Sequence, residues 1–194
     1  MSILSTSDSL GSWSARSIVT TMFPLLVVLS IIVLAAGITL DRAEALLEEY
    51  RVLAIMVPTM VGLGGNLGAI LSSRLSSRLH LGVATFDVRD TGLWANIAAI
   101  LALAVTVFTV LAIGSYLIGL ALGIAVALPT LLFIALVSGL SIAVIAVVCS
   151  FGATYASYRL GIDPDDLTIP VVTNVVDVFG MLIFVGVSWV VLGF

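Results

Sequence analysis

Three stretches of this chain, Ser17 to Leu40, Val52 to Ser73 and Thr91 to Tyr158, contain no Asp, Glu, Lys or Arg. A helix needs about 20 consecutive apolar residues to cross a bilayer, so each stretch can span at least once. A fourth segment, Leu167 to Phe194, is long enough to cross but holds one acid, Asp177. With 61% hydrophobic and 9% charged residues, the chain lies far from the soluble mix, in which roughly a quarter of residues are charged. These runs predict an all-α integral membrane protein whose solvent is the lipid bilayer.

The first run is longer than the roughly 7 to 15 apolar residues of a signal peptide and has no obvious small-residue cleavage site, so it reads as a retained helix. Residues 1–16 are too few for a core and read as a short cytoplasmic tail, with 17–194 forming the membrane domain. Between the first two crossings, Ala43, Leu46, Leu47 and Tyr50 recur at helical spacing, with Glu44, Glu48 and Glu49 largely opposite. That pattern predicts a turn of helix lying at the membrane surface.

As a single helix, Thr91 to Tyr158 would be roughly 100 Å long at 1.5 Å per residue, so the chain must reverse inside it. Gly114 and Ser115 offer a break, and Pro129 suits a helix's first turn. The expected crossings are then Leu93 to Ile113 and Pro129 to Tyr158, with Gly114 to Leu128 as an interfacial or re-entrant piece. Five crossings result, six being the alternative. Five with a cytoplasmic N-terminus place Arg16, Arg74, Arg78, Arg89 and Arg159 inside against Arg42 and Arg51 outside, as the positive-inside rule favours, and leave the C-terminus external.

Several functions are disfavoured by composition. The seven basic residues are all Arg and the net charge is −4, so no basic face exists for nucleic acid. Cys149 is the sole cysteine, which rules out an internal disulfide or a thiolate metal cluster within one chain. His80 is the sole histidine and falls in an expected loop, so an intramembrane hydrolase lacks a nucleophile–base pair. Arg74, Arg78, His80, Asp87, Arg89 and Asp90 read as a solvated second loop with local ion pairs. Asp163-Pro164-Asp165-Asp166 reads as a turn and helix start.

Asp177 is the charged residue well inside an apolar span, where a carboxylate costs about 2.5 to 3.5 kcal/mol on insertion scales. The bland reading is a protonated Asp bonded to a neighbouring helix; the functional one is an ion ligand. Pro170, Thr173 and Asn174 lie seven, four and three residues before it, so a single helix face carries a stripe of oxygen atoms. In the second span Pro58 precedes Gly62-Leu63-Gly64-Gly65-Asn66-Leu67-Gly68. Those glycines allow close helix packing, or backbone carbonyls such as that of Gly65 turned from the helix towards a pore. With the two spans antiparallel, Asn66 and Asp177 fall at similar depth. Carboxylate, amide, hydroxyl and carbonyl oxygens suit hard Mg²⁺, Ca²⁺ or Mn²⁺.

Pro58, Gly64-Gly65-Asn66, Ser73-Arg74-Leu75-Ser76, Asn96, Asp163-Pro164, Pro170, Thr173, Asp177 and Gly180, in this order across most of the chain, resemble the MgtE-type magnesium transport family and its animal solute-carrier relatives. The resemblance implies five membrane helices per unit, a two-fold pair of units with the pore at or near their interface, and Asp177 as the central Mg²⁺ ligand. It also implies that Asn66 faces that pathway, with Gly65, Thr173 and Asn174 beside it. Two departures stand out. Ile70 replaces a Gln common in bacterial members, and the magnesium-sensing domains of many members are expected to be absent before Arg16. The expected function is transport of a divalent cation, Mg²⁺ first, across the cell membrane by a homodimer or a pair with a paralogous unit. A Na⁺- or H⁺-coupled exchanger and a non-transporting subunit of a larger complex are the alternatives.

Overall fold

The structure is a computed structural model, and it describes residues 15–82, 89–160 and 164–194. Six helices follow in order: α1 (Ala15–Arg42), α2 (Glu44–Glu49), α3 (Arg51–His80), α4 (Thr91–Leu122), α5 (Leu128–Leu160) and α6 (Pro164–Leu192). No strand occurs among the described residues. All but α2 are long and apolar enough to cross a membrane, so the five expected crossings are present. Most of the expected N-terminal tail, together with Asp87 and Asp163, lies outside the described residues.

The expected surface turn is α2, with Ala43 and Leu46 buried and Glu44, Glu48 and Glu49 exposed. The expected break at Gly114 and Ser115 does not occur. Instead α4 continues through both residues to Leu122 and stops at Gly123, whose φ of 71° is left-handed. The Gly123 N–H donates to Leu120 O and the Ile124 N–H to Gly119 O, the paired bonds of a glycine-terminated helix end. A lone interior glycine costs only about 1 kcal/mol relative to Ala. Unwinding in an apolar medium would leave backbone groups unsatisfied at several kcal/mol each, so the helix runs on. Residues up to Leu122 therefore continue the long helix α4 and do not form a separate re-entrant piece. Pro129 does fall in the first turn of α5, and Pro164 opens α6.

The glycines of α3 set how closely its neighbours approach. A Cβ added at Gly64 would meet Ile142 of α5 at 2.6 Å and Val176 of α6 at 3.2 Å; one at Gly68 would meet Val172 at 2.8 Å. Because the partner number rises along α5 and falls along α6, α3 runs parallel to α5 and antiparallel to α6. Buried Met56, Met60, Leu71, Ile134, Ile142 and Phe184 fill the space among these three helices. On one flank α4 closes the group, its Phe108 ring lying over Gly139 of α5. Beyond α6 lies α1, which packs mainly against that helix and buries little besides Leu29 and Ala36.

One end of the bundle departs from the expected loop. Arg74, Arg78 and His80 occupy the last two turns of α3, which stays helical as far as His80. Local ion pairing is nonetheless present: Arg78 Nη2 lies 2.5 Å from Asp90 Oδ2. Asp90 also caps α4, accepting from the Gly92 N–H at 2.8 Å.

Candidate functional site

Because α6 is continuous from Pro164 to Leu192, Pro170, Thr173, Asn174 and Asp177 share one stripe, as their spacing requires. Asp177 reaches α3 at Gly65. A Cβ added there would lie 2.8 Å from Asp177 Oδ1, 3.7 Å from Cγ and 3.9 Å from Oδ2. The carboxylate is therefore seated where any other residue would put a side chain. Asp177 Oδ1 is buried and accepts no hydrogen bond from the described residues. A buried carboxylate oxygen without a donor is costly, and such groups in native proteins call for a cause such as a bound water or ion.

The other polar groups of the stripe are anchored to their own helix. Thr173 Oγ1 donates to Ile169 O at 2.9 Å and lies 3.1 Å from Pro170 O, while Asn174 Nδ2 donates to Pro170 O at 2.7 Å. With its NH₂ engaged, Asn174 keeps its amide oxygen as the free end. At Gly65, within a continuous α3, the missing side chain leaves the space that the carboxylate occupies.

Asn66 follows Gly65, a rotation of about 100° around α3, and is exposed in the single chain. It sits at the middle of a face on which Ile55, Thr59, Gly62, Asn66, Ile70, Ser73 and Ser77 are all exposed. These positions fall within about 40° of Asn66 at 100° per residue and extend about 33 Å, the thickness of a bilayer's hydrocarbon core. Thr59, Ser73 and Ser77 were not identified as site residues from the sequence. Their signal is the spacing of 7 and 11 residues from Asn66, which gains meaning only once the neighbouring helices show that none of the described elements covers this face. Ile70 lies on the same face.

Among the described residues no three His, Cys, Asp or Glu side chains converge, so one chain does not build a chelating cage. What it presents is one half-buried carboxylate, amide and hydroxyl oxygens one turn away, and a polar helix face alongside. Comparison with protein families adds that the model for MgtE, described as a divalent cation transporter, matches residues 57–187, from α3 through most of α6 and well over half of the chain. The match contains the Gly-rich segment, the uncovered face of α3 from Thr59 onward and the whole Pro170 to Asp177 stripe. With five apolar helices long enough to span and this family match, the chain is a multi-pass membrane protein that belongs to the MgtE family of divalent cation transporters.

Proposed function

We propose that two copies of this chain enclose a pathway for a hydrated divalent cation, Mg²⁺ first, with Asp177 as its central ligand and Asn66, Thr173, Asn174 and Gly65 around it. The observation that carries this reading is the buried Asp177 Oδ1, seated on Gly65 with no donor from the described residues. A cation or its bound water would supply the missing partner. Mg²⁺ dehydrates reluctantly and is commonly held through one or two carboxylates with several waters retained. A two-fold pair would set two Asp177 side chains about one axial ion, which suits a chain with a single carboxylate at this depth.

The uncovered face of α3 supports the pairing. Thr59, Asn66 and Ser73 would be poorly solvated by lipid, whereas a second copy and an aqueous path satisfy them. The N-terminus is taken as cytoplasmic from the arginine distribution. A membrane potential then draws the ion inward with about 2.3 kcal/mol per elementary charge per 100 mV.

Mg²⁺ entry into proteoliposomes, read by an internal dye under an imposed negative potential, tests the reading. The wild type is expected to conduct, and Asp177→Asn, at equal incorporation and equal oligomeric state, to lose at least tenfold in rate. Equal rates in both would remove Asp177 from the pathway. A silent wild type that conducts only against a Na⁺ or pH gradient would replace a passive path with an exchanger. A wild type silent under every gradient would leave a subunit role.

A further inference from the structure

The last two turns of α3, along the edge of the uncovered face, hold an arginine whose environment differs from that of its neighbour one turn on. Arg78 is neutralised by the Asp90 carboxylate. Arg74 is instead bonded through Nε to the neutral amide of Asn96, Nε to Oδ1 at 2.5 Å, and no carboxylate pairs with it among the described residues. Asn96 is itself fixed. Its side chain is 9% exposed and its Nδ2 donates to Gly92 O at 2.6 Å, within the turn that Asp90 caps. The guanidinium is thus an exposed positive charge held in place by a buried anchor and, among the described residues, without a carboxylate partner.

Arg74 follows Ser73 of the polar face and lies eight residues beyond Asn66, about 12 Å along the axis and about 80° around it. That puts its charge at the edge of the face, at one mouth of the pathway, on the end that carries the larger share of the arginines. We propose that Arg74, positioned by Asn96, sets the charge at the cytoplasmic mouth and disfavours entry of divalent cations from that side. The inference rests on the proposed dimeric pathway and its orientation. In a two-fold pair two such charges flank the mouth, and a divalent ion feels each twice as strongly as a monovalent one. At roughly 10 Å in water, screened at about 0.15 M ionic strength, the pair lowers the local divalent concentration about twofold, and more at lower salt.

For a passive path the low-concentration permeability is equal in both directions, so the informative quantity is the ratio of half-saturating Mg²⁺ concentrations measured from the two faces. Right-side-out and inside-out membrane vesicles containing the full chain, with an internal Mg²⁺ dye, give both values. Arg74→Gln is expected to lower the cytoplasmic-to-external ratio about twofold, Arg74→Lys to preserve it, and high ionic strength to bring the wild-type ratio down to that of the Gln variant. A structural role for the Arg74–Asn96 bond would not produce the salt dependence. If the wild-type ratio is unmoved by salt, or Arg74→Gln folds and retains the wild-type ratio, the inference falls while the pathway stands. A wild type that carries no Mg²⁺ in either vesicle type overturns both. Should Arg74→Gln fail to fold, the salt dependence of the wild type and the Lys variant still decides.

Discussion

The contact between Gly65 and Asp177 ties the chemistry of the site to a missing side chain. Because a Cβ at position 65 would approach Asp177 Oδ1 to 2.8 Å, Gly65→Ala forces the carboxylate or α6 to shift. The expected outcome is a protein that inserts and folds but transports Mg²⁺ at least tenfold more slowly, measured by flux at equal incorporation. Gly152→Ala on α5, whose added Cβ meets nothing within 4 Å and which lies off the uncovered face of α3, serves as the control and should stay within about twofold of wild type. Asp177 was legible as the candidate from sequence alone, since a carboxylate in an uncharged span is costly wherever it packs. The seat was not. Gly64, Gly65 and Gly68 look alike in sequence, and only the phase of α3 against α5 and α6 shows that Gly64 and Gly68 admit aliphatic side chains while Gly65 admits a carboxylate.

Among the helices, α3 makes the most consequential contacts, and part of its grip on α5 is polar. Ser72 Oγ donates to Ser150 Oγ at 3.1 Å and Ser150 Oγ to Gly68 O at 3.3 Å, all buried. Interhelical hydrogen bonds in membranes average about 0.6 kcal/mol and reach about 1.7. Ser150→Ala should therefore lower unfolding free energy by about 1 kcal/mol in mixed micelles, while the folded fraction transports within twofold of wild type. A loss of transport at full stability would move Ser150 into the pathway. The number of crossings was legible because run length and charge alone determine it. Where α4 ends was not: Gly114 and Gly123 are both glycines in an apolar run, and the turn falls at the one that takes a left-handed φ and closes the last carbonyls. The end of α3 was misjudged for a related reason. Arg74, Arg78 and His80 look like loop polarity, yet buried Leu75 and Ser76 keep that segment packed as helix.

In the molecule as a whole, the described helices leave one long face of α3 uncovered beside the Asp177 stripe, and α1 stands at the far side of α6. That arrangement could not be read from hydropathy, which counts helices without saying which faces they share. If two copies meet across this face, Ser73→Cys in a Cys149→Ala background should cross-link between chains under mild oxidation or with a short bifunctional reagent, whereas Val148→Cys, exposed on α5, should not. The central claim is that two Asp177 side chains hold one hydrated divalent ion. Its most direct test is the count of ions bound to purified protein, with Mn²⁺ as a paramagnetic stand-in and Mg²⁺ as competitor. One Mn²⁺ per two chains, displaced by Mg²⁺ and absent in Asp177→Asn, is the predicted result. One ion per chain, or equal binding in the wild type and Asp177→Asn, would contradict it.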